Sequence, residues 1–181
     1  MTILHVDSSI TGENSVSRQL TRAVVERLAQ DVPPSQRRYR DLAADPLPHF
    51  LPGADNPVVE EFLAADTIVV GAPMYNFTVP SQLKAWIDGI LVAGRTFRYT
   101  EAGPEGLAGP KRVIVVVSRG GLYGAGTQAA AAEHVETYLR TVFAFIGLQP
   151  EFLIAEGVQL GPDARAAAIE GALQAVCGLA A

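Results

Sequence analysis

Six consecutive residues, Ala72-Pro73-Met74-Tyr75-Asn76-Phe77, follow the apolar run Thr67-Ile68-Val69-Val70-Gly71 and combine two aromatic rings, a thioether and a primary amide. Rings on a loop tip need cover, because exposed apolar patches are costly in water. A flat heteroaromatic ligand would provide it. Its faces would bury against Met74, Tyr75 and Phe77, while Asn76 and backbone amides bonded its polar edge. An aromatic cluster packed under a neighbouring loop would satisfy the same residues.

Two further loops have chemistry to offer. In Asp7-Ser8-Ser9-Ile10-Thr11-Gly12-Glu13-Asn14-Ser15-Val16-Ser17-Arg18 the chain passes from a strand into a helix through hydroxyls and an amide. Free N–H groups and the positive end of the dipole make such a helix start a seat for a phosphate. Ser9, Ser15 and Ser17 would add hydroxyl donors, and Arg18 is close enough in sequence to help neutralise a dianion. Plain capping by Asn14 or Ser15 would also account for the loop. The other loop, Ser118-Arg119-Gly120-Gly121, ends the run Val113-Ile114-Val115-Val116-Val117, and its paired glycines let backbone approach a ligand or turn tightly. A phosphate seat, an aromatic shelf and a glycine approach match the three parts of a flavin mononucleotide.

Other chemistries lack their residues. The chain has no Gly-x-Gly-x-x-Gly fingerprint, no Gly-Lys-Ser/Thr P-loop and no Gly-x-Ser-x-Gly elbow, which argues against a dinucleotide site, a triphosphatase and acyl transfer. His5, His49 and His134 show no ligand spacing, so no metal is expected. Lys84 and Asp88, four apart, read as a surface pair.

The elements that must position these loops follow from the pattern. Continuous Ile/Val/Leu runs at 3–6, 67–70, 113–117 and 152–155 fit strands covered on both faces. Helix-forming stretches at 15–30, 81–93, 129–146 and 163–179 lie between and after them. A weaker strand at 36–40, rich in arginine, reads as an edge. The alternation predicts an α/β fold, a doubly wound five-stranded parallel sheet of flavodoxin-like order 2-1-3-4-5 in a three-layer α/β/α domain spanning 1–181. Residues 46–57 read as an irregular surface loop.

With 181 residues the chain suits one core, burying about 70% of its unfolded surface. A net charge of -5 argues against nucleic-acid binding, which needs a basic face. No apolar run has the length of a membrane span, and the N-terminus lacks the pattern of a secretory signal, so the expected location is cytoplasmic. The single cysteine, Cys177, is expected as a small buried hydrophobe in the last helix.

Taken in order, the chain resembles the FMN-dependent NADH-azoreductase and quinone oxidoreductase family of flavodoxin-like proteins. The likeness rests on Ala72 to Phe77, on Thr96-Phe97-Arg98-Tyr99-Thr100-Glu101 with Gly103-Pro104-Glu105-Gly106-Leu107, on Ser118-Arg119-Gly120-Gly121 and on Ala155-Glu156-Gly157. It implies FMN contacts at Ser9, at Ser15, Val16 and Ser17 around the phosphate, and at Met74, Tyr75, Asn76, Phe77, Ser118, Arg119, Gly120 and Gly121 along the ring, with Asn76 near the flavin N5. It also implies NADH or NADPH as donor, a quinone or azo compound as acceptor, and a homodimer with the site at the interface. Tyr99 and Phe145 would wall the substrate pocket, one of them from the partner chain. The segment 47–61 is shorter than in typical members. A flavodoxin-type electron carrier and a flavin-binding module without turnover are the competing functions, and the modest charge favours the enzyme.

Overall fold

The computed structural model describes residues 1–49 and 56–180. Five strands, β1 (Ile3–Asp7), β2 (Arg37–Asp41), β3 (Thr67–Pro73), β6 (Arg112–Arg119) and β7 (Glu151–Glu156), form one parallel sheet in the order β2-β1-β3-β6-β7. Counted along the sheet's own strands this is the anticipated 2-1-3-4-5. The arginine-rich β2 is an edge, as its composition indicated.

Strand alternation sorts the apolar runs onto two faces. Leu4, Val6, Ile68, Val70, Val113, Val115 and Val117 belong to one core with α2 (Pro57–Ala64), α3 (Ser81–Ile90) and α4 (Glu136–Phe145). Ile3, Val69, Ile114 and Val116 belong to a second core with α1 (Val16–Leu28) and α5 (Pro162–Cys177). The central β3 is buried along its whole length, which is why its sequence is a continuous apolar run.

Four features depart from the sequence expectations. Of the loop expected over 46–57, residues 50–55 lie outside the described residues, and it is followed by a helix, Pro57–Ala64, that the pattern did not anticipate. Its start is set by Asn56, whose Oδ1 accepts from Val58 N at 3.2 Å, and by Pro57 at the first turn. Burial of Val58, Val59 and Phe62 holds it.

The helix expected from 129 begins only at Glu136, after a short 3₁₀ turn at Ala130–Ala132. The buried Glu133 carboxylate accepts from Val135 N and Glu136 N at 2.8 Å each, so it takes the first amides and fixes the start beyond the alanines.

An antiparallel hairpin, β4 (Phe97–Thr100) and β5 (Gly103–Gly106), was not anticipated as strands. It rests on α4's far end through Gly106, where a Cβ would overlap the Ile146–Gly147 backbone, so only glycine fits. Finally, Cys177 is exposed rather than buried. α5 buries only Ala172 and Val176 fully, and the cysteine falls next to that stripe, not on it.

Candidate functional site

The carboxyl ends of β1, β3, β6 and β7 deliver four loops to one rim, and hydrogen bonds join them. Tyr75 links the first two: its hydroxyl lies 3.1 Å from Ser9 Oγ and accepts from Ile10 N at 3.2 Å. Met74 N donates to Ser118 O at 2.8 Å, tying the second loop to the third. Gly157, Val158 and Gln159 donate to Gly121, Arg119 and Gly120 at 3.0, 3.1 and 3.0 Å, tying the third to the fourth.

Two adjoining cavities follow this seam. One, about 380 Å³, includes Ser9, Ser15, Val16, Met74 and Ser118 in its wall. The other, about 520 Å³, is lined by Asn76, Phe77, Gly121 and Tyr123, and both share Met74, Tyr75, Gly120 and Gln159. Together they make one groove with a polar, hydroxyl-lined end and an aromatic end.

At the polar end Ser15 caps α1, its Oγ accepting from Arg18 N at 3.2 Å and lying 3.1 Å from Ser17 Oγ. Capping and an anion seat coexist here. The cap engages Arg18 N, and the amides of Val16 and Ser17 remain as first-turn donors without a partner among the described residues. Ser17 itself is fully buried behind Ser15.

At the aromatic end the chain reverses over two residues. Tyr75 N donates to Thr78 O at 3.0 Å and Thr78 N to Tyr75 O at 3.2 Å, and the central Asn76 and Phe77 have φ of 47° and 74°. Positive φ at both central positions is the geometry of a type I′ turn, which asparagine tolerates and phenylalanine does not favour. The strained turn holds Phe77 out, 52% exposed, with its ring edge-on to Tyr123 at 6.3 Å. Phe77 is therefore not packed beneath a loop, whereas Tyr75 is half-buried against the first loop.

The Gly-Gly pair has neither residue at positive φ. A Cβ at Gly120 would stand 2.7 Å from Gln159 Oε1, so the Gln159 side chain packs directly over this glycine and shapes the groove between its two ends. A third cavity, about 540 Å³, shares Ile10, Tyr75 and Asn76 with the aromatic end and extends over Val79, Pro80 and Tyr138. Burial pushes the Tyr138 phenol up to about 12, so it remains a neutral donor.

Two arginines from the motifs turn away from the groove. Arg119 is 1% exposed, and its guanidinium lies 3.2 Å from Glu133, 3.0 Å from Glu136 and 3.5 Å from Glu156. Arg119, expected along the ring, lines neither cavity of the groove. Glu156 Oε2 in turn accepts from Tyr123 N and Gly124 N at 3.0 Å each, so this buried charge cluster pins the loop from behind.

Arg18, expected to help neutralise a dianion, is instead committed to Asp41 at 2.6 and 2.7 Å and to the Ser9 carbonyl. That pairing raises the guanidinium above its ordinary value and holds the Asp41 carboxyl below the usual range. Burial and the neighbouring Asp7 push Tyr39 up to about 12 in the same cluster. Lys84 and Asp88 form the expected surface pair at 2.6 Å.

Tyr99 and Phe145 line none of the three cavities. They meet each other only through Phe97, whose ring lies 5.6 Å from Tyr99 and 4.6 Å from Phe145. Sequence reasoning missed Asn14, Gln159, Tyr123 and Arg165 as groove residues. Gln159 and Arg165 follow β7, whose loop the motifs marked only at Glu156 and Gly157.

A family model described as flavodoxin-like fold matches residues 1–179. The FMN-dependent NADH:quinone oxidoreductase of Methylorubrum populi is 57% identical, and FMN-dependent NADH:quinone oxidoreductase 2 of Bradyrhizobium diazoefficiens 55%; each alignment covers all of both chains. Among solved structures, azoreductase AzrA superposes with a TM-score of 0.84 at 29% identity, covering 99% of this chain and all of its own.

Proposed function

Because the chain belongs to the flavodoxin-like fold family, we propose that it acts as an FMN-dependent NADH:quinone oxidoreductase. The observation that carries this reading is the single groove with a hydroxyl-lined helix start at one end and an exposed aromatic turn at the other. Its chemistry fits each part of FMN. The donors of Val16, Ser17, Ser15 and Ser9 suit a phosphate, and the gap walled by Met74, Tyr75 and Phe77 suits a ring system.

FMN, when bound, supplies the redox chemistry, accepting a hydride from NADH and returning two electrons to an acceptor. The protein's contribution is placement. The paired loops fix the ring-facing backbone, Asn76 at the strained turn offers an amide to the ring's reactive edge, and the charge cluster behind Arg119 keeps the third loop from moving. The adjoining cavity over Val79, Pro80 and Tyr138 has room for a nicotinamide or a quinone in turn.

On this reading turnover is ping-pong, with NADH or NADPH leaving before a quinone or azo compound enters the same place. The chain acts as one domain with an α/β/α three-layer arrangement, in the cytoplasm, as a homodimer. Tyr99, 75% exposed on its hairpin, supports the dimer: it is suited to wall the site of a second copy, with Phe145 behind it.

Purified protein should show the yellow absorption of bound flavin and oxidise NADH in the presence of a quinone. Flavin-loaded protein that exchanged electrons with a redox protein but never consumed NADH would overturn the enzyme reading in favour of a carrier.

A further inference from the structure

We propose that Arg165 is the cation of the phosphate end of the groove. The inference rests on the FMN reading above. A phosphate monoester is dianionic near neutral pH, and the chain it approaches carries a net charge of -5. Hydroxyls and helix amides seat such a group, but a cation beside them strengthens the hydrogen bonds and offsets the surrounding charge.

Arg18, the nearest arginine in sequence, is consumed by Asp41. Arg165 comes from the first turns of α5, far along the chain, and α1 and α5 pack together on one face of the sheet. Its Nη2 donates to the Asn14 carbonyl at 2.7 Å, directly before Ser15. The side chain lines the same cavity as Ser9, Ser15 and Val16, and it is the one charged residue in that lining.

Arg165 also differs from the other arginines of the site in its partners. Arg18 and Arg119 are paired with carboxylates, whereas Arg165 makes no ion pair among the described residues. Its recorded hydrogen bond goes to a neutral carbonyl, which leaves several of the five guanidinium donors for an incoming oxygen. The acid closest in sequence to Arg165 is Asp163 on the same helix, and the acid beside its partner Asn14 is Glu13, which faces Arg22 at 3.8 Å.

The test compares FMN with riboflavin, which lacks the phosphate, by fluorescence titration of the flavin-free full chain. Arg165→Gln keeps a donor for Asn14 and removes the charge. It should weaken FMN binding about 10- to 100-fold while riboflavin binding is unchanged. Arg165→Lys should recover part of the loss. In the unaltered chain, added salt should weaken FMN more than riboflavin, a measurement that no folding defect can confound.

An unchanged FMN-to-riboflavin preference in Arg165→Gln would overturn the proposal, as would a parallel loss of both ligands with no salt effect on FMN in the unaltered chain. Those results would leave the FMN reading standing. Failure of the unaltered chain to bind FMN would overturn both.

Discussion

The two loops that face each other across the aromatic end are held by opposite means. The turn after β3 is exposed and strained, with Asn76 and Phe77 at positive φ and two backbone hydrogen bonds to close it. The loop after β6 is relaxed in its backbone but anchored from below by a buried arginine and three carboxylates from different elements. One side of the groove stores local energy to project a ring. The other uses long-range charge to keep a backbone surface in place. A planar ligand needs both, a ring face that stands out of the surface and a wall that does not yield.

The comparison breaks most visibly at Arg119. Replacing Arg119 with Leu leaves the buried Glu133 and the half-buried Glu156 without their cation and Glu136 with Arg140 alone, a loss of about 3–5 kcal/mol for a buried pair broken on one side, or roughly 6–20 °C in Tm. Calorimetry would check it. A fall of only a degree or two would mean that the cluster does not pin the loop.

A smaller effect tests the opposite wall. Phe77→Ala and Phe77→Gly both remove the ring, but only glycine relieves the positive φ, so the glycine variant should be more stable than the alanine variant by about 1 kcal/mol. Denaturant melts of the two variants decide it. Equal stabilities would remove the strain from the turn.

The smallest expected difference is in acid. Burial opposes ionisation of Glu136, but Arg140 and Arg119 outweigh it and hold the carboxyl below its usual range. A carboxyl with a lowered folded pKa stabilises the chain fully above the unfolded value of about 4.3, and the contribution disappears as pH falls through the folded value. Stability should therefore drop below about pH 4, and in Arg119→Leu the drop should be smaller, with the part due to Arg140 remaining. Residues 75–78 contain no carboxylate, so the strained turn should add nothing to that dependence.

Much of this arrangement was legible in the sequence because the sheet is buried on both faces. Continuous runs such as Ile68-Val69-Val70 announce a central parallel strand, and the order of strands and helices then places three loops on one rim. Short elements were harder. The helix Pro57–Ala64 has only its Asn-Pro start and two turns of apolar residues, and in the hairpin the four-residue strand Phe97–Thr100 is short while its partner Gly103–Gly106 contains glycine and proline where strand formers would be expected. The side-chain directions of Arg18 and Arg119 were not legible at all. Both sit beside loops rich in ligand chemistry, Arg18 in the first turn of α1 and Arg119 at the end of β6, and only their distant partners, Asp41 and the three glutamates, show that they face away. Arg165 is the converse case, a residue in an alanine-rich helix whose relevance depends on packing across the length of the chain.

That packing of the first helix against the last has a consequence for the order of synthesis. Ser15 and Ser17 leave the ribosome well before α5, and strand β1, just ahead of them in the chain, must wait for β2 and β3 before it has neighbours. The wall supplied by Gln159 and Arg165 emerges much later. A nascent chain can fold domain elements from its N-terminal side, but it cannot close this groove until α5 is free to reach Asn14. Closure of the groove is thus tied to the emergence of α5, and a chain interrupted before α5 would carry an open half-groove.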